Sequence, residues 1–423
     1  MHHVLHTAAL ATLLLLFAPA RALADEPLPG ASVEALLTLA KANNPDYASM
    51  RFEAQAAAER IAPAGALMDP KFRVEWMDVT RGGSQNATLW PSDVGSTQYT
   101  LMQDLPWFGK RGLKQNIAAQ EAQASQGKAQ ATWAELAARV KTTHAQRYYL
   151  HHTQKLTLEL LDLSTRLAQV AQVRYAGGLA LQQDAIRAQL EQTALQTELV
   201  ALQGESRQFD ARLNALLARP AKAALAAPAR LRPVPAAATL DADTLMVRAQ
   251  ERNPQLLTET SRIRSAELAT ELSLKNRYPD FTLAITPTQM QSRISEWSLM
   301  LEVNIPLQQA SRRAEEREAQ AMLAAAQSRR AAALNQVVSE LSEGLAGLDS
   351  AQRTEQLAKS RLLPQAELSF QAALAGYENG KLDFATLLDA QRQVRQAKQA
   401  QLKAQLEAQM RLAEIEKLLG EEL

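Results

Sequence analysis

Three histidines, His144, His151 and His152, fall on one stretch of helical periodicity, and histidine is a common metal ligand. His144 and His151 share a helix face but stand two turns apart, whereas two histidines holding one ion favour a spacing of four. The group therefore reads as helix-surface or subunit-contact histidines, and no metal site is expected. Asp184, Asp383 and Asp389 could act as paired catalytic carboxylates, yet no pocket signature surrounds them and helix-end positions account for all three. Asp104 and Glu302 sit among alternating apolar residues and read as groups facing water rather than as catalytic acids. Two basic pairs, Lys110-Arg111 and Arg312-Arg313, follow the alternating segments. They suit a boundary between an apolar and an aqueous environment, and Lys110-Arg111 equally suits a solvated helix start. The absence of cysteine removes disulfides, thiol catalysis, Cys-based metal centres and lipidation on cysteine. With no HExxH and no Ser/His/Asp arrangement, neither an enzyme nor a cofactor is expected.

The 423 residues carry 46 Lys+Arg against 45 Asp+Glu. That balance argues against a nucleic-acid binder, which needs a basic face to neutralise phosphates. Aromatic residues make up only 5%, and long stretches are dominated by Ala, Gln, Leu and Glu. Extended helices fit this composition better than a compact enzyme core. Residues 8–20 form an apolar run too short to span a bilayer as a helix, followed by Ala22-Leu23-Ala24 and the acidic Asp25-Glu26. Residues 1–24 read as an export signal, with His2, His3 and His6 where Lys or Arg would be usual. No later segment is apolar enough for a membrane helix, so the exported chain is either soluble or inserted as β-structure.

An internal repeat organises the rest. Asn44-Pro45 returns as Asn253-Pro254, Pro70-x-Phe72 as Pro279-x-Phe281, and Tyr175-x-x-Gly178 as Tyr377-x-x-Gly380. Leu105-Pro106 returns as Ile305-Pro306, Ala188-Gln189 as Ala390-Gln391, and Leu216-Leu217 as Leu418-Leu419. Two tandem copies, 31–217 and 240–419, are joined by a Pro/Ala linker at 218–239. Each copy reads as a helix, a strand pair and a long helical hairpin: strands in 71–105 and hairpin 110–217, then strands in 280–305 and hairpin 311–419. The first helix is expected over 33–62, ended by Pro63 and Pro70. The long helix of the second copy is expected to be interrupted only at Pro364. Leu195, Leu199, Leu202, Phe209, Leu213 and Leu216 form a heptad seam for pairing helices.

Period-two alternation marks the strands. Phe72, Val74, Leu283, Ile285, Leu299 and Leu301 fall on one face, and Arg73, Glu75, Met300 and Glu302 on the other. Four strands cannot close a barrel, and an open edge in lipid leaves backbone groups unpaired. Either the strands form a small soluble sheet, or several chains pool them. Trp76, Tyr99, Phe281 and Trp297 stand near the ends of the apolar faces, where aromatic girdles would lie.

This plan resembles the TolC-like outer-membrane efflux channel family along nearly the whole chain after residue 24. The likeness rests on Asp104-Leu105-Pro106-Trp107-Phe108-Gly109-Lys110-Arg111, on Tyr175-Ala176-Gly177-Gly178-Leu179, and on Tyr377-Glu378-Asn379-Gly380-Lys381 followed by Leu387-Leu388-Asp389-Ala390-Gln391. The Leu-Pro-Trp-Phe-Gly-Lys-Arg version is most similar to the heavy-metal branch, which serves cobalt–zinc–cadmium and copper–silver efflux. The missing cysteine departs from the lipoprotein members. The resemblance implies a mainly α fold with a small β part: a homotrimer whose strands make a 12-stranded β-barrel in outer-membrane lipid, continued by a periplasmic α-helical barrel. It further implies a passive exit duct for substrates, metal cations among them, with a periplasmic adaptor and a resistance–nodulation–division inner-membrane pump as partners. An exported, helical periplasmic adaptor is the alternative reading, although such proteins usually have one hairpin and not two.

The resemblance also implies where the duct closes. Tyr377 matches the family's gate tyrosine, Asp389 its ring aspartate, and Asp184 the first-copy aspartate of the closing network. Thr386 stands where a second aspartate ring would be and Leu382 where a basic partner would be, so either the closing network is weaker here or Asp383 and Lys381 substitute one turn away. The turns carrying Gly178, Leu179, Gly380 and Lys381 are the expected adaptor-docking tips.

Overall fold

A computed structural model describes residues 28–83, 86–178, 180–237 and 240–423. The export signal expected at 1–24 and the tip residue Leu179 lie outside the described residues.

Two joints replace the single first helix expected at 33–62. Helix α1 covers Val33–Asn43, α2 Pro45–Glu59 and the short α3 Ile61–Gly65. The break comes at Asn44 because a residue before proline is pushed out of helical geometry; Asn44 sits at φ −66°, ψ 122°. Its side chain then caps α2 by accepting from Tyr47 N at 3.0 Å, with Pro45 in the first helical position. The second copy builds the same joint between α6 (Ala242–Arg252) and α7 (Pro254–Lys275), where Asn253 accepts from Gln255 N and Leu256 N. Each asparagine also donates to a carbonyl at the end of its own copy's returning helix, Asn44 to Leu216 O at 3.0 Å and Asn253 to Leu418 O at 2.8 Å. The repeated Asn-Pro therefore fastens the start of each copy to its finish.

The long hairpins are α4 (Lys110–Ala176) with α5 (Gln182–Leu216), and α8 (Gln309–Leu357) through α9 (Leu363–Glu378) with α10 (Phe384–Leu419). At 67 residues, α4 runs about 100 Å at about 1.5 Å per residue. Before Pro364, residues Ala358–Leu362 form a π-helical turn in which Leu363 N reaches Ala358 O. Widening one turn absorbs the missing proline N–H without breaking the rod. Of the expected seam, Leu195, Leu199, Leu202 and Leu213 are buried, while Phe209 and Leu216 are half-covered. Alanines fill most remaining contacts between helices, including Ala188, Ala397 and Ala404.

The linker is not a loose tether. Asn214 holds Ala221 O and Ala223 O, Arg147 holds Ala226 O, and Gln409 holds Arg232 O, so the Pro/Ala segment lies as a strap across the helices. Beneath it runs a buried charge belt. Glu416, 4% exposed, accepts from Lys141 Nζ at 2.8 Å and from Arg232 Nη1 at 2.9 Å. Burial alone would raise the Glu416 pKa, but these two cations hold it below the usual carboxylate range.

His144 lies in the same belt, 1% exposed, with Nε2 unpartnered among the described residues. Burial first, and Arg147 second, lower its pKa from 6.5 to about 4, against a smaller opposing pull from Glu34. The unfolded chain therefore binds the extra proton between those two pH values, so stability falls as pH drops from 6.5 towards 4. About 3 kcal/mol of acid destabilisation should belong to this residue. Chemical unfolding of wild type and His144→Gln across that window should show the extra slope only in wild type; parallel curves would remove His144 from the account.

Four strands form one antiparallel sheet in the order β1 (Lys71–Met77), β2 (Ser96–Leu105), β3 (Asp280–Met290), β4 (Arg293–Asn304), so the two copies join through β2 and β3. Its rows are cleanly sorted. Phe72, Leu101, Ile285 and Leu299 stand side by side, and the next row on that face holds Val74, Tyr99 and, through β3, Pro287 and Trp297. Rows on the opposite face hold Arg73, Thr100, Thr286 and Ser298, then Glu75, Gln98, Thr288 and Glu296. The apolar face lies open: Phe72 is 66%, Leu299 79% and Leu301 62% exposed. Both edge strands, β1 and β4, lack an outer partner among the described residues.

Candidate functional site

Two ends of the molecule carry the informative residues: the junction where strands become helices, and the far tip where both hairpins turn. At the junction, Trp107 stacks on Tyr278 and Phe281 with centroid separations of 5.0 and 5.7 Å. Its backbone N–H donates to Asp280 Oδ1 at 2.7 Å, and Lys110 Nζ donates to the same oxygen at 2.8 Å and to Tyr278 O at 3.0 Å. Gly109, at φ +86°, supplies the left-handed residue that starts α4. The Trp-Phe-Gly-Lys motif is therefore a clasp between the copies. Lys110 is 4% exposed, which corrects the option of a solvated helix start: Asp280 draws its ammonium inward. Arg111 donates to Gly65 O, while Arg312 pairs with Glu315 on its own helix. A matching ion pair, Arg277 with Glu316, ties the second copy's entry to α8.

At the tip, Gly178 and Gly380 adopt φ +71° and +69°, the left-handed geometry of a tight reversal. The hairpins pack together there through Ala171, Ala188, Tyr377, Phe384 and Leu387. Tyr377 is 3% exposed, tilted against Phe384 at 5.4 Å, and capped by the Arg174 guanidinium 4.9 Å from its ring centre. Arg174 Nη1 also donates to Tyr377 O at 2.8 Å and Glu378 O at 3.0 Å, so one arginine clamps both turns. The Tyr377 hydroxyl has no hydrogen-bond partner among the described residues, and burial followed by the Asp184 charge raises its pKa.

The candidate carboxylates have separate placements. Asp383 caps α10, accepting from Thr386 N at 2.9 Å and Thr386 Oγ1 at 2.5 Å, which lower its pKa. Asp184 lies in the first turn of α5, half-covered and close enough to act on Tyr377. Asp389 points into solvent with its side chain 73% exposed, 3.8 Å from Arg392. Lys381 is exposed in the turn.

Sequence reasoning missed Arg174 and a charge ladder between the hairpins. Arg392 donates to Glu191 at 2.7 Å, and Arg395 to Glu198 at 3.2 Å. Part of that signal is in the repeat: Glu191 and Arg392 stand 201 residues apart, at nearly equivalent positions of the two copies. The three histidines do not converge. His144 is buried in the belt, whereas His151 and His152 meet edge to face at 5.4 Å on the outer side. Among the described residues no three His, Asp or Glu side chains could hold a metal together, and no helix is long and apolar enough to cross a membrane.

The family model described as outer membrane efflux protein matches residues 36–219 and again 245–421, one match in each copy. The cobalt-zinc-cadmium resistance protein CzcC of Cupriavidus metallidurans is 23% identical over 384 residues, spanning 87% of this chain and 84% of its own. Among solved structures, the outer-membrane channel OprN superposes with a TM-score of 0.77 at 19% identity, covering 92% of this chain and 89% of its own. CusC superposes at 0.78 with 16% identity and 92% of each chain, and the outer membrane protein VceC of Vibrio cholerae at 0.77 with 16% identity, covering 92% and 96%.

Proposed function

The chain belongs to the outer membrane efflux protein family, and we propose that three copies assemble into the exit duct of a tripartite efflux system. The observation that carries this reading is the sheet: four strands, two unpartnered edges, one face of open apolar side chains and one polar face. Such a sheet is stable in lipid only when other copies pair with its edges, and three copies give about twelve strands, within the range of membrane barrels. The apolar rows then meet outer-membrane lipid and the polar rows line water. The family is one of channels and not of enzymes, and its match to both copies sets aside the adaptor alternative.

The partners in this reading are a periplasmic adaptor, docked on the tips around Gly178, Leu179, Gly380 and Lys381, and an inner-membrane pump of the resistance–nodulation–division type. Likeness to a cobalt-zinc-cadmium resistance protein favours metal cations as cargo. The tip is the gate. Three Asp389 carboxylates around a narrow opening repel one another and attract cations. In this reading Tyr377, held by the Arg174 clamp, and Asp184 belong to the closing network, and Asp383 contributes by shaping the turn that presents them.

Single-channel recording tests the gate. Asp389→Ala should lose cation selectivity and block by multivalent cations, and Tyr377→Phe should conduct more than wild type. Wild-type currents in both variants would remove the gate assignment while leaving the duct.

A further inference from the structure

Each of the four strands carries one methionine, Met77, Met102, Met290 and Met300, and all four lie on the polar face of the sheet. A flexible apolar side chain on the face turned away from lipid is misplaced for packing. Two of them share a row in the order Lys71, Met102, Ala284, Met300. We infer that Met102 and Met300 form a thioether site on the channel wall for a soft monovalent cation of the Cu(I) or Ag(I) class, a deepening that rests on the barrel reading above.

The geometry favours a shared ion. One strand, β3, lies between the two methionines, so two inter-strand spacings, about 10 Å, separate their Cα atoms, and each thioether reaches roughly half that distance. Between them stands only the methyl group of Ala284, so neither sulfur is held apart by a larger side chain. Ala284 is 3% exposed although it belongs to the pore-side face, so flanking side chains already lie over it. Met300 is 42% exposed on that face.

Charge on the same face favours a cation. One row further, Asp104 and Glu302 flank Thr282; Lys71 and Asp104 cancel each other at 2.8 Å and Arg73 stands on the far strand, so Glu302, in no ion pair among the described residues, is the charge nearest Met300. Carboxylates concentrate cations near the wall; thioethers then distinguish among them, because neutral sulfur prefers soft ions to zinc or magnesium. Two thioethers without a thiolate bind weakly enough to release the ion, as conduction requires.

The test uses the full chain purified in detergent, with Ag+ as probe in chloride-free buffer and equilibrium dialysis as readout. Wild type and the control Met322→Leu, on an exposed helix surface, should retain about one Ag+ per subunit, and Zn2+ should not compete. The double variant Met102→Leu/Met300→Leu keeps shape and apolarity without sulfur. It should bind Ag+ more than about tenfold more weakly while conducting K+ like wild type. Equal Ag+ binding by the double variant, or none by wild type, would overturn the site. A chain that conducts normally yet ignores Ag+ overturns this inference alone; one that forms no channel overturns the barrel reading and this site with it.

Discussion

Arginine at Leu299 should abolish assembly in the outer membrane, while arginine at the adjacent Ser298 should leave assembly nearly intact. Leu299 is 79% exposed and closes the row that begins with Phe72, Leu101 and Ile285. Ser298 closes the polar row of Arg73, Thr100 and Thr286. A charge on the lipid face near mid-bilayer costs roughly 2–4 kcal/mol in each subunit, and three copies pay it together in one trimer. On the water-lined face the same guanidinium stays hydrated. Oligomer yield in outer-membrane fractions measures the difference. Equal tolerance at neighbouring positions would reject the register, because a shift of one residue exchanges the two faces.

The paired substitution Gly178→Val/Gly380→Val should eliminate export and leave oligomers in the membrane. Both glycines sit near φ +70°, where a side-chain-bearing residue costs roughly 1–2 kcal/mol and a β-branched one more. A Cβ on Gly178 meets open space, so the strain there is purely in the backbone. On Gly380 it would stand 3.4 Å from Arg174 Nη2, disturbing the clamp on Tyr377 as well. Asparagine tolerates the left-handed region, so Gly380→Asn should be far milder. Cross-linking to the adaptor reads out docking; undiminished cross-linking in the double valine variant would move the docking surface elsewhere.

Much of this molecule is legible in one sequence because its structure is periodic. Alternation in 71–76 and 297–305 specifies strands and also which side chains share a face, and the observed rows follow that sorting. The tandem repeat is visible because Asn-Pro, Pro-x-Phe and Tyr-x-x-Gly return in order. What that repeat does is less visible. Asn44 looks like a turn residue, and its role appears only when its amide reaches Leu216 O, 172 residues away. The same limit hides the buried belt: Lys141 meets Glu416 across 275 residues, and no local pattern announces such a pair. At the tip, Tyr377 and the two glycines stand out by spacing, whereas Arg174 looks like one more cation on a long helix until its guanidinium lies over the Tyr377 ring. Proline was a fair marker for interruption at Pro364, but a π-helical turn answers it where a break was expected.

The central claim is that β1 of one subunit pairs with β4 of the next. Within one chain these strands are opposite edges of the sheet, three spacings or about 14 Å apart, too far for a disulfide. Because the chain has no cysteine, introduced pairs report without background. Combining Arg73→Cys or Glu75→Cys with Glu296→Cys, Ser298→Cys or Met300→Cys samples the neighbouring registers, and mild oxidation of outer membranes followed by denaturing electrophoresis reads the result. The account predicts that at least one pairing yields covalent dimers and trimers, and nothing larger. Cross-links absent from every register would contradict it, leaving a four-stranded sheet that no second copy completes.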